Sequence, residues 1–196
     1  MFQYLREKVE QRSNSSKLQG EVEKVIDAID DYEKNSFYEN LFQAFIKELQ
    51  KRTHVHSSDE SWNFYVKHFD LVRIEYQFKE TFKYLAGAVI FTSPSGETEV
   101  YLNPFLEDSS LFSAEYKMMT VIEEYMHSFQ QKRDTALSHE QYQVLRAKWE
   151  IETKKIFLAL KIKLKLSEEK KRFLRHRLKE DRKDLNIALK PDRIRQ

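Results

Sequence analysis

The stretch Glu115-Tyr-Lys-Met-Met-Thr-Val-Ile-Glu-Glu-Tyr-Met-His-Ser-Phe-Gln-Gln131 decides how this chain is read. Met118, Val121, Ile122, Tyr125 and Met126 recur at intervals of three and four, the period of an apolar helix face. The spacing predicts a helix over 113–132, with Ser113 and Glu115 where helix-start residues belong. Residues one turn apart on a helix share a face, so Glu123 and His127 point the same way, with Glu124 beside them. A carboxylate and an imidazole aimed at one point make a candidate ligand pair. The competing reading is a solvated acidic face that happens to carry one histidine.

Working outward, the pattern before this helix changes period. Residues 71–78 alternate polar and apolar, which suits a half-buried strand. Residues 85–92 are a short apolar run, Ser93-Pro-Ser-Gly-Glu97 has turn composition, and 99–103 return as a strand stopped by Pro104. A small antiparallel sheet over about 71–103 is therefore expected, packed on helices 113–132 and 138–160. Further upstream, amphipathic helices are predicted over 2–12 and 18–34, separated by Ser13-Asn-Ser-Ser16, and a third over 36–52. Residues 53–61 read as a polar loop with Asp59 or Ser61 as N-cap of a short helix or turn over 61–68. Downstream, Lys161-Ile-Lys-Leu-Lys-Leu166 alternates strictly and fits strand or helix, and Ser167 opens a charged helix to about Ala188. The fold class is α+β and mainly helical. A single domain spans 1–160, and 161–196 form a basic helical extension.

Composition supports that class. Only 3 Gly and 3 Pro occur in 196 residues, so sharp turns are few, while 14 Phe, 10 Tyr and 2 Trp can fill a core. The absence of cysteine removes disulfides, thiolate metal sites and cysteine nucleophiles. No apolar run approaches the roughly 20 residues of a membrane span, and the N-terminus lacks a signal-peptide apolar region. A cytoplasmic protein is the expectation, with export by a route lacking a cleaved signal left open. Residues 161–196 hold 14 Lys/Arg against 6 Asp/Glu, a net +8; the total is +2, so the first 160 residues carry −6. The isolated glycines argue against loops that cradle nucleotides.

Glu123-Glu124-x-x-His127, preceded by strand-turn-strand and Tyr101-Leu-Asn-Pro104, resembles the core of zincin metallopeptidases of the Glu-zincin kind. Their active helix carries His-Glu-x-x-His, two zinc ligands one turn apart with a Glu as general base. The resemblance covers about residues 85–157. It implies Glu124 as general base, His127 as a metal ligand and Glu150 as third ligand, since Glu150-Ile-Glu-Thr-Lys154 stands where the family's Glu-x-x-Ala-Asp motif falls. Glu123 replaces the first histidine, and Thr153-Lys154 replace Ala-Asp. Two carboxylates with one imidazole make a harder, more anionic set than the family's, shifting preference from zinc toward manganese, iron or magnesium. Added negative charge also raises the pKa of metal-bound water. The expected function is a pseudo-peptidase, or a weak metal-dependent hydrolase of peptides or proteins, carrying zinc, manganese or iron, or no metal at all.

Other readings compete. Glu124-x-x-His127 matches one half of a di-iron carboxylate bundle, but no second histidine has Glu three residues before it. His54 and His56 would share one side of a strand and otherwise read as loop residues without a third partner. His139 reads as a surface residue at a helix start, and His176 as part of the basic run. The basic segment 161–196 supports a non-enzymatic alternative: an interaction protein whose last helix binds a protein partner or nucleic acid.

Overall fold

The computed structural model describes residues 2–30, 33–62, 87–92, 97–107, 111–130 and 139–189. The chain divides into two compact units: Ala28–Arg133, and Met1–Asp27 together with Asp134–Gln196. Helices dominate both, and no described helix is long and apolar enough to cross a membrane.

In the unit 28–133, helix α2 (Lys34–Gln50) starts where the Glu33 carboxylate accepts from the backbone N–H groups of Asn35 and Ser36, at 3.3 and 2.7 Å. A side-chain acceptor at this position satisfies donors that the first helical turn leaves without partners. Its broad apolar face buries Phe37, Tyr38, Leu41, Phe42, Phe45 and Leu49, as the helical period over 36–52 predicts. That face packs on helix α3 (Ala114–Gln130). Phe45 meets Tyr125 edge-on at 5.2 Å, a favoured geometry for aromatic pairs. At the far end Arg52 stacks its guanidinium over Phe129 at 3.6 Å and donates from Nε to Ser128 Oγ at 3.2 Å.

The sheet of this unit is mixed, which corrects the expected antiparallel sheet over 71–103. Strands β1 (His54–His56), β2 (Ala88–Thr92) and β3 (Thr98–Leu102) lie in the order β1-β3-β2. β1 pairs parallel with β3, Val55 opposite Val100, while β2 runs antiparallel to β3, Ile90 opposite Val100. Residues 54–56 read as loop because three residues are too few to display a period; pairing along β3 makes them a strand. The strand expected over 71–78 lies outside the described residues. Ser58 caps the turn that follows β1, where Asp59 or Ser61 was expected: its Oγ accepts from Ser61 N at 3.1 Å and its carbonyl from Trp62 N at 3.0 Å. Trp62 is almost wholly buried. Beyond it, residues 63–68 of the expected short helix are outside the described set.

The other unit's regular structure is all helical among its described residues. Helix α1 (Phe2–Asp27) is continuous, so the break expected at Ser13–Ser16 does not occur. Serine in a helix interior costs only a few tenths of a kcal/mol against alanine, and helix formers on both sides carry the helix through. Leu18, Val22 and Ile26 are buried at helical spacing. Helix α4 (His139–Ala159) and helix α5 (Glu168–Ala188) are joined by a tight reversal. There the strict alternation of 161–166 resolves as neither strand nor continued helix. Leu166 N bonds Lys161 O and Lys165 N bonds Ile162 O, both at 3.0 Å, and Lys165 takes φ 50°. These paired bonds around a left-handed residue are a Schellman closure. Its curl turns Leu164 and Leu166 inward while Ile162 stays 80% exposed. Ser167 then caps α5, its Oγ accepting from Lys170 N at 3.2 Å. α5 folds back along α4, so the helix expected as an extension after residue 160 belongs to the same compact unit as α4.

Candidate functional site

Helix α3 presents the candidate residues. Ser113 caps it, its Oγ accepting from Tyr116 N at 3.2 Å and its carbonyl from Lys117 N at 3.0 Å. Burial covers most of its circumference: Lys117, Met118, Thr120, Val121, Ile122, Glu124, Tyr125, Met126 and His127 are all buried. Glu123 is half-buried. A buried glutamate and a buried histidine one turn apart set this helix apart from an ordinary amphipathic one, because buried charges cost heavily unless paired or ligated.

The one-turn spacing does what the sequence implied. A Glu123 carboxylate oxygen and a His127 ring nitrogen come within 4.8 Å of each other, close enough to share one cation. Gln130 lies 2.9 Å from His127 Nδ1 through its Oε1. An amide oxygen only accepts, so this contact places the imidazole proton on Nδ1 and leaves the Nε2 lone pair as a donor atom. Metal-binding histidines are commonly held this way, by an acceptor on the nitrogen opposite the metal. The sequence reading missed Gln130, although its position three residues after His127 is visible in the chain.

The start of β2 fixes the first half of α3. A Cβ on Gly87 would fall 2.8 Å from Thr120 Cγ2 and Oγ1 and 3.1 Å from the Tyr116 ring. Only glycine permits that approach of backbone to helix. Tyr116 hydrogen-bonds the Thr120 side chain and the Gly87 backbone. Burial raises the Tyr116 phenol above its ordinary range; the hydrogen bonds partly offset this and the Glu123 charge adds to it. The phenol therefore stays neutral and feels Glu123 electrostatically.

Glu150 sits in α4, in the other unit, half-buried. Its Oε2 accepts from Lys154 Nζ at 2.7 Å, one turn along the same helix. Lys154 is itself buried and also stands 3.1 Å from Asp181 Oδ2 on α5, an ion pair whose angles do not make a hydrogen bond. The position where the family resemblance expects aspartate thus carries a cation that engages the candidate third ligand. Thr153, the other departure from that motif, is fully buried and its Oγ1 has no hydrogen-bond partner among the described residues.

The remaining histidines are placed as follows. His56 has a partner the sequence did not reveal: its Nε2 lies 3.1 Å from Glu99 Oε2, which also accepts from the Tyr101 hydroxyl at 2.7 Å, and its ring stacks on Tyr101 at 4.6 Å. The parallel register sets His56 directly opposite Tyr101. His54 and His176 are exposed. His139 begins α4. No protein-family model, no curated protein and no solved structure matches this chain.

Proposed function

We propose that this chain is a zincin-like protein with a diverged metal site, acting as a pseudo-peptidase or a weak metal-dependent hydrolase. The observation that carries the reading is the α3 pair: Glu123 and His127 within 4.8 Å, with His127 oriented by Gln130 so that Nε2 is the donor atom. Glu150, 23 residues after His127, enters from the resemblance as third ligand. Its Oε2 is engaged by Lys154. Lysine so close to a ligand withdraws donor strength and weakens the site relative to aspartate there.

A bound divalent cation would supply Lewis-acid polarisation of a substrate carbonyl. Glu124, next to Glu123, occupies the general-base position, and its burial would favour proton transfer away from bulk water. Two carboxylates and one imidazole leave less positive charge at the cation than two imidazoles and one carboxylate. Activation of water is correspondingly weaker, which is why binding or slow hydrolysis is the favoured outcome over full peptidase activity.

The test is elemental analysis of protein purified without chelator, repeated after reconstitution with zinc, manganese and iron. About one equivalent is expected, lost in His127→Ala and Glu123→Gln and lost or much weakened in Glu150→Ala. Absence of metal under all three conditions overturns the reading. Metal retained in His127→Ala would place the ion elsewhere and overturn it equally.

A further inference from the structure

Helix α5 carries a charge pattern that the candidate metal site does not use. Its buried stripe, Leu174 and Leu178, faces inward. To one side, Arg172, Arg175, Lys179, Arg182 and Lys183 follow at intervals of three, four, three and one, so they form a single row along the helix. All five are exposed. Lys183 pairs with Glu180 at 2.9 Å; Arg172 and Arg175 feel the Glu168 charge, and Lys179 that of Glu180. Asp181 lies beside Lys154, and most of the other acidic side chains of the helix lie off the row. Glu169, Glu180 and Asp184 share the opposite flank, and Glu168, in line with Arg172 at the N-terminal end of the row, is held by Lys171 at 2.8 Å. The sequence mixes the signs; the helix sorts them.

We propose that this row is a docking surface for the phosphate backbone of a nucleic-acid duplex. The row spans about 16 Å at 1.5 Å per residue, and a duplex presents about one negative charge per 1.7 Å of its axis. A shallow groove of about 440 Å3 lies at the row, lined by Arg175, Leu178, Lys179, Arg182, Lys183 and Asn186. Three of the five cations are arginines, whose planar donors match phosphate oxygens in pairs. No Phe, Tyr or Trp ring lies on the row: exposed Phe173 sits on the far flank, where Lys170 approaches its face. Single-stranded binding, which uses rings as stacking platforms, is therefore disfavoured against a duplex. An anionic membrane is disfavoured because the exposed apolar residues Phe173 and Ile187 share their flank with Glu169, Glu180 and Asp184.

The experiment measures binding of the full chain to a fluorescent duplex DNA of mixed sequence as a function of salt, beside the same DNA as a single strand and vesicles containing anionic lipid. With up to five phosphate contacts at about 0.9 per contact, affinity should fall about 500-fold between roughly 50 and 200 mM salt. Arg175→Gln/Lys179→Gln/Arg182→Gln leaves two contacts, and the fall should shrink to about 12-fold. These side chains are exposed, so a far-ultraviolet spectrum and melting curve matching the unmodified protein establish that the variant is folded. Lys179→Gln alone should lower the salt slope by about 0.9, whereas Arg177→Gln, which removes the same single charge from outside the row, should leave it unchanged. Absence of duplex binding, an equal loss from Lys179→Gln and Arg177→Gln, or tighter binding to the single strand or the vesicles than to the duplex would each overturn the proposal.

Discussion

Among the described residues each unit buries one lysine on a helix, and the two are stabilised differently. Lys117 on α3 is 3.1 Å from Glu39 on α2 and 5.5 Å from the Phe42 ring centre, and Glu39 is 41% exposed. Lys154 on α4 lies between Glu150 and Asp181, at 2.7 and 3.1 Å, which are 27% and 13% exposed. Lys117 runs its stem through apolar surroundings to reach a wet carboxylate, the snorkelling common to long cationic side chains. Lys154 is balanced by two carboxylates that are themselves mostly withdrawn from water. Losing the first lysine leaves a carboxylate that water can solvate. Losing the second leaves two that water reaches poorly.

That contrast is open to direct attack. Lys154→Ala should destabilise by about 3–5 kcal/mol, the cost of stranding buried charge, read as a lower midpoint in chemical denaturation. Lys154→Met/Asp181→Leu should recover the part of that loss due to Asp181, because an apolar pair of similar volume often replaces a buried ion pair without penalty, while Glu150 stays without its lysine. An Ala variant as stable as the parent would break the comparison.

Tyr38 on α2 sharpens it with a different buried polar group. Burial, and secondarily the Glu115 charge, hold its phenol well above the model-peptide value of 10.0. The sign follows from which state releases the proton first. The unfolded phenol ionises near pH 10.0 while the folded one stays neutral, so stability present below that pH falls as pH rises through and beyond it. Melting temperature should drop on the alkaline side, and Tyr38→Phe should flatten that slope; an unchanged slope would show the phenol ionising freely in the folded chain.

Lys117→Met should cost about 1 kcal/mol or less, since the pair it breaks is partly solvated. A loss as large as that of Lys154→Ala would show that the Glu39 exposure does not govern the outcome. Smallest of all, Lys165→Gly should stabilise by about 0.5–1 kcal/mol, because glycine takes the left-handed conformation at φ 50° without the penalty of a Cβ. A destabilised variant would mean that the lysine stem contributes more than its backbone costs.

Much of the candidate site was legible in the chain because it is local. Glu123, Glu124 and His127 lie within five consecutive residues of one helix, and helical geometry alone puts the first and last together. Gln130 was equally local and went unread, since an amide carries no motif. Asp181 and Glu99 were out of reach: each meets its partner, Lys154 or His56, across long sequence separations that no short-range period encodes.

By itself the sequence determined the helices found at Lys34–Gln50, Ala114–Gln130 and His139–Ala159, and the capping serines at 113 and 167. These depend on interactions within one or two turns. Only the tertiary structure decided that 54–56 join a sheet in parallel, that 161–166 curl into a left-handed closure, and that Lys154 faces two carboxylates. Strand pairing, inward curl and charge burial are set by what arrives from elsewhere in the chain, and the free energy of each belongs to the contact and not to the segment.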